Sequence, residues 1–227
     1  MLSEGPRTFE TAKDVILSAH NSTSRPDQIQ FYDRWAQTYE QDVDLIEYRA
    51  PGLAAGRVSD HFSGERRTAA VLDVACGTGM VAQMMKRDGF ERFVGVDGSK
   101  GMLQHARDSG LYQDLKLAML GDQTLPVPAD EFDVVMIVGG LSASHVPVKV
   151  IRELWMAAKR GGLICMTTRS NHDNLEYKEA LEGEMAEMEA EGLWHRIDVT
   201  HVTEWERGVT DQERGYIPGW VYVFQKL

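Results

Sequence analysis

At 227 residues the chain is long enough to bury the core of one sizeable domain, and 43% hydrophobic against 26% charged residues is a globular balance. Its 24 Lys and Arg face 35 Asp and Glu, a formal charge of -11, which disfavours nucleic acid, a partner whose phosphates must be neutralised. No apolar run reaches the roughly 18 residues of a membrane helix, and the N-terminus lacks the apolar core of a signal peptide. Cys76 and Cys165 have no metal-ligand spacing, so the expectation is a cytoplasmic protein with reduced thiols and no metal.

Residues 1–25 are polar and read as a flexible tail, within which "DVILSAH" has helical potential. Residues 26–64 read as a helical cap at the head of a single domain, 1–227. In it, "DQIQFYDRWAQTYEQD" predicts one helix with Trp35 and Tyr39 four apart on one face, and "PGLAAGRVSDHF" a second with Pro51 in its first turn. Short buried strands follow at 69–75, 92–97, 115–120, 132–138 and 162–168. Helical stretches, "GMVAQMMKRDG", "SKGMLQHARDSG" and "VPVKVIRELWMAAKR", separate most of them. That alternation predicts an α/β fold with a doubly wound, mostly parallel sheet covered on both faces. Residues 195–205 and 215–227 predict a C-terminal antiparallel hairpin. Before it, Tyr177, Leu181, Met185 and Met188 form the apolar stripe of an amphipathic helix with a glutamate-rich outer face, read as core packing.

"VLDVACGTGMVA", residues 71–82, drives an apolar run into a turn with Gly77 and Gly79 one residue apart. With Ala82 they satisfy G-x-G-x-x-A, the dinucleotide fingerprint, so a nicotinamide dehydrogenase is one reading. Four features point to another ligand. Asp73, just before the turn, is unhelpful beside a pyrophosphate but suits an ammonium. Asp97 closes the second strand, where it can accept from both hydroxyls of a ribose. Asp122, in "LGDQTLPVP", can accept from an exocyclic adenine amine. The aromatic "FYDRWAQTY" lies where it can cover the cleft.

At these residues the chain resembles the class I methyltransferases that use S-adenosylmethionine. "VLDVACGTG", "VGVDGSKGML", "GDQTLP" and "FDVVMIVGGL" look like their first four motifs, in order. "FYDRWAQTYEQDVDLIEYRAP" and "VGGLSASHVP" narrow the resemblance to the Williams–Beuren syndrome region methyltransferase-like proteins. One departure is visible: Ala75 stands where the family's first motif has its first glycine. The resemblance implies a Rossmann-like sheet and, residue by residue, a cofactor site. The main chain at Ala75, Cys76, Gly77 and Gly79 would pass under the methionine part, with Asp73 near its amino group. Asp97 would hold the ribose, and Gly98 and Met102 would lie beside the adenine. Asp122 and the backbone at Gln123 would read the adenine edge, and Val138 and Gly139 would face the methyl. Trp35 and Tyr39 are expected to close over the methionine end.

The implied reaction is metal-independent methyl transfer to a small molecule or an exposed protein side chain. Aligning the reactants supplies on the order of 7 to 11 kcal/mol in favourable cases. A non-catalytic S-adenosylmethionine-binding protein would share every cofactor residue. His145, after "GGLSAS", is the candidate for acceptor positioning or proton removal, with His172 the next choice. The acceptor atom and the oligomeric state are not legible in the sequence.

Overall fold

The computed structural model describes residues 6–20, 25–143, 145–210 and 212–227. One seven-stranded sheet carries the fold: β1 (Ala70–Val74), β2 (Arg92–Asp97), β3 (Tyr112–Leu117), β4 (Phe132–Ile137), β5 (Ala158–Arg169), β6 (Trp194–Arg207) and β7 (Tyr216–Lys226). They lie in the order β3-β2-β1-β4-β5-β7-β6. The first five are parallel, while β7 runs antiparallel to both β5 and β6. The strand order reverses between β1 and β4, and the crevice at such a switch point, beyond the carboxyl ends of the strands, is where open α/β sheets bind ligands.

Alternate residues of the central strands feed two cores. Val134, Met136, Leu163 and Cys165 pack with Ala54 and Val58 of α4 (Ala50–His61) and Met85 of α5 (Met80–Arg87). Val135, Ile137, Ile164 and Met166 pack instead with Ile151 and Leu154 of α7 (Val150–Ala157) and Leu181, Met185 and Met188 of α8 (Leu175–Ala190). The α8 stripe is therefore core, as its spacing predicts, and Tyr177 packs against the same cluster while donating to the Val146 carbonyl at 2.6 Å.

Two sequence expectations shift. The strand expected at 115–120 ends at Leu117, and Ala118–Leu120 leave the sheet. Their apolar character reflects burial in the wall of a cavity, since β3 is a half-exposed edge strand. The single helix expected over 27–42 is two: α2 (Arg25–Trp35) and α3 (Tyr39–Leu45). The break is fixed by Asp42, fully buried, which accepts from Trp35 Nε1 at 2.8 Å and Thr38 Oγ1 at 3.1 Å and pairs with Arg7. A continuous helix would hold the two residues two turns, about 10 Å, apart along one face, whereas the break brings the indole onto the carboxylate. Within the tail expected over 1–25, α1 (Phe9–His20) buries Ile16 and Ala19 against Trp35 and Val43; residues 1–5 and 21–24 lie outside the described residues.

The cap is tied to the sheet. Asp33 of α2 accepts from Ser99 Oγ at 2.7 Å and Gly101 N at 2.8 Å, at the start of α6 (Lys100–Asp108). A Cβ at Gly101 would collide with the Asp33 backbone, so the sequence's "SKGML" is what lets α2 press against α6.

Candidate functional site

Two adjoining cavities open at the carboxyl edge of the sheet, under the cap. The larger, about 810 Å³, is lined by the β1 turn at Ala75 and Gly77, by Asp97, Gly98, Ser99 and Met102, and by Met119, Leu120, Val138 and Gly139. The smaller, about 630 Å³, is walled by Trp35, Val43, Ile46 and Tyr48 from the cap and by Thr167, Thr168, Arg169, Trp205 and Glu206 from β5 and β6. Tyr32, Tyr39, Gly139 and His145 line both.

The β1 turn is held by β2. Cys76 N donates to the Val96 carbonyl at 3.1 Å and Gly77 N to Asp97 Oδ2 at 2.8 Å. Ala75 and Gly77 have φ of 56° and 54°, so Ala75 occupies the left-handed region that its glycine counterpart would enter freely; an L-residue there costs about 1–2 kcal/mol. Nothing lies within 4 Å of the position a Gly77 Cβ would take, which leaves the backbone open to a ligand. Cys76 and Gly79 brace the turn from outside the cavity wall.

Asp97 accepts from Gly77 N and Ser99 N, each at 2.8 Å. Each oxygen keeps capacity for a second hydrogen bond, so holding the turn and holding a diol are compatible. Burial pushes this carboxyl up, while backbone donors at Ser99, Gly77 and Gly98 pull it back.

Asp73 has a partner that sequence reasoning missed: the Tyr112 hydroxyl donates to its Oδ2 at 2.7 Å. The bond crosses β2, where Asp73 pairs with Gly95, and a Cβ at Gly95 would come within 3.0 Å of the Tyr112 ring. The available signal was that glycine, since glycine inside a strand marks close approach of another group. Oδ1 of Asp73 is buried without a partner, as is Oγ1 of neighbouring Thr78. Burial raises the Asp73 carboxyl to about 7. Unpartnered buried polar atoms cost about 1–3 kcal/mol each. Asp73 itself lines neither cavity, though Ala75 and Gly77 just after it line the larger; an ammonium reaching it past that backbone would relieve the first orphan, which a pyrophosphate would not.

Other expected contacts fall differently. Met119 and Leu120, rather than Asp122 and Gln123, line the larger cavity. Gln123 folds back on its own loop, its Oε1 accepting from Met119 N at 2.8 Å, and both it and Asp122 are exposed. Trp35 and Tyr39 lie on different helices, their rings edge to face at 4.8 Å; Trp35 lines only the smaller cavity, Tyr39 both. His172 is exposed beside Asp173 and lines neither cavity.

His145 is the common wall of both spaces. Its Nδ1 lies 3.2 Å from the Ala143 carbonyl and 3.0 Å from Ser142 Oγ, and its Nε2 2.9 Å from the Tyr32 hydroxyl. A carbonyl only accepts, so Nδ1 carries the proton and Nε2 accepts from Tyr32. Burial lowers the imidazole to about 4. Glu206, by contrast, is raised by burial to about 7 despite nearby Arg169. Glu206 lies in no motif of the sequence; Tyr48 lies inside "FYDRWAQTYEQDVDLIEYRAP", but nothing in that stretch marks it as a wall of the site.

Comparisons place this geometry among known proteins. The family model described as "Methyltransferase domain" matches residues 72–166. Human methyltransferase-like protein 27 is 48% identical over 197 residues, which is 87% of this chain and 80% of that protein. The tRNA U34 carboxymethyltransferase of Shewanella baltica (strain OS155) is 34% identical over 117 residues, 49% of this chain and 34% of that enzyme. A chain from the solved complex of the Haloferax volcanii Trm112 methyltransferase activator with a methyltransferase matches with a TM-score of 0.64 at 17% identity. That match covers 86% of this chain and 95% of that one, a likeness of fold. Among the described residues no helix is long and apolar enough to cross a membrane.

Proposed function

The chain belongs to the class I S-adenosylmethionine-dependent methyltransferases, and on that footing we propose that the larger cavity holds the cofactor and the smaller one the methyl acceptor. The observation that carries this reading is the wall shared at Tyr32, Tyr39, Gly139 and His145. It puts the two spaces in contact at the end of β4.

S-adenosylmethionine supplies a methyl group already activated on a positively charged sulfur. The protein's part is to hold both partners in line and exclude water. Asp97 accepts from the ribose, Met102 and Met119 enclose the adenine beside Gly98, and Asp73 pairs with the ammonium near the open backbone of Ala75 and Gly77. Val138 and Gly139 lie against the reacting centre, and the Tyr48 hydroxyl, stacked directly over Gly139, limits what can approach from the acceptor side. His145, neutral at pH 7 and already bonded to Tyr32, positions the acceptor. Tyr39, lining both cavities, closes over the methionine end.

A pocket roofed by a helical cap suits a small molecule better than a polynucleotide, as does the net charge of -11. Two buried free cysteines suit the cytoplasm. The test is transfer of label from methyl-labelled cofactor across metabolites, peptides and tRNA. Label on a small molecule supports the assignment; label on tRNA alone overturns it.

A further inference from the structure

The smaller cavity contains one carboxylate that neither the fold nor the cofactor site uses. Glu206 stands near the end of β6, just past an irregularity in the β6–β7 register between Val202 and Glu206. Such bulges redirect a side chain and recur beside active sites. The backbone here is pinned to the cap, Arg49 N donating to the Trp205 carbonyl at 3.1 Å and Arg207 N to the Ile46 carbonyl at 2.8 Å. The side chain lines the cavity but makes no hydrogen bond or ion pair of its own among the described residues. Around it the wall is mostly aromatic, Tyr32, Trp35, Tyr39, Tyr48 and Trp205, with Arg169 the one cation lining it among the described residues and the charges of Arg169 and Glu213 acting on Glu206. The Trp205 indole has its slot because Gly219 on β7 carries no side chain there.

Glu206 is half-buried; Arg169 offsets its charge at a distance, and a cationic ligand in hydrogen-bond contact would supply the donor that the protein does not. Aromatic faces attract the same ligand, by about 0.5–2 kcal/mol per contact. An anionic acceptor would have to turn from Glu206 to Arg169, which lines the same cavity. We propose that this cavity binds an amine, its ammonium paired with Glu206 and enclosed by the tyrosine and tryptophan rings, and that the amine nitrogen is the methyl acceptor. This rests on the assignment of the two cavities above. The ammonium gives one proton to Glu206, freeing the nitrogen lone pair. The N–C bond then forms as the C–S bond breaks, with its electron pair going to sulfur. The product leaves as a methylammonium and Glu206 returns its proton to water. Burial raises the affinity of Glu206 for that proton to a pKa of about 7.

The experiment uses three probes of one shape, 2-phenylethylamine, 2-phenylethanol and 3-phenylpropionate, titrated into the full chain saturated with S-adenosylhomocysteine. The amine is expected to bind at least tenfold tighter than the other two, and Glu206→Gln to weaken it at least tenfold while S-adenosylhomocysteine affinity is unchanged. Equal or tighter binding of the alcohol or the carboxylate, no binding of the amine, or an amine affinity indifferent to Glu206→Gln overturns the proposal. Should Glu206→Gln fail to fold, the ranking of the three probes on the wild-type chain decides alone. Failure of S-adenosylhomocysteine itself to bind would overturn the cofactor assignment, a separate result read in the first titration.

Discussion

The Tyr32 hydroxyl lies 2.9 Å from His145 Nε2, joining the cap to the loop after β4 along the line where the two cavities meet. Because Nδ1 carries the proton, the lone pair that could serve as a base is already occupied by Tyr32. Burial lowers the imidazole to about 4, which weakens it further. His145→Gln should therefore keep turnover within about tenfold of wild type, whereas loss of a general base costs about 10²- to 10⁴-fold. Tyr32→Phe should cost roughly fivefold, the worth of a single hydrogen bond near 1 kcal/mol. A thousandfold loss in His145→Gln at unchanged cofactor affinity would make His145 the base after all.

Asp97→Ala should weaken S-adenosylmethionine at least tenfold, because a hydrogen bond to a charged group contributes about 1.5–3 kcal/mol. The structure adds a second consequence. Gly77 N and Ser99 N lose their acceptor, so the melting temperature should fall as well. Calorimetry and thermal unfolding on the same sample separate the two effects. Unchanged affinity with a lowered melting temperature would assign Asp97 to the turn alone.

With Asp73 paired to the cofactor ammonium as proposed, cofactor binding is a proton-linked event. Its carboxyl is raised by burial to about 7 in the free protein, and an arriving ammonium pulls it down again. Binding at pH 7 should release a fraction of a proton from Asp73, seen as different calorimetric enthalpies in phosphate and Tris. The Asp73→Asn protein should lack that contribution, and identical buffer dependence in both proteins would exclude Asp73 as its source.

The same shift governs stability. Asp73 and Glu206 both have folded-state values of about 7, above the ordinary carboxyl range near 4. Their contribution is complete below that range and is lost as pH rises through 7. His145 runs the other way, its contribution being lost as pH falls from about 6.5 towards about 4. Between pH 6.5 and 8 only the carboxyls matter, and urea unfolding of the ligand-free chain should show stability falling. Asp73→Asn with Glu206→Gln should flatten that slope; an equal slope in the variant would refute the assignment.

Asp42→Ala leaves Arg7 and the Trp35 indole without their acceptor inside the cap. Breaking a buried pair in this way costs about 3–5 kcal/mol. The cap should then be cut by protease within residues 6–45 at concentrations that spare the wild type, while the sheet core stays intact. Equal digestion of both proteins would show that the cap does not depend on Asp42.

The glycine turn, Asp97 and the order of strands and helices were legible because each rests on neighbours in the chain. A turn needs small residues within a few positions, and a buried strand shows its period locally. Ala75 was visible as a departure from the motif, while its left-handed backbone came only from the structure. The smaller cavity was not legible, since it joins residues that no local pattern connects: Tyr32 and His145 are 113 positions apart, and Glu206 enters from β6 just past a shift in its register with β7. The break between α2 and α3 was hidden for the same reason. Helical periodicity runs straight through residues 36–38, and a buried carboxylate that collects the Trp35 indole and Arg7 outweighs it. Local sequence determined the glycine turn and the carboxylate at the edge of the sheet. Tertiary packing decided what stands beside it, because desolvation and pairing of charge depend on which distant segments meet.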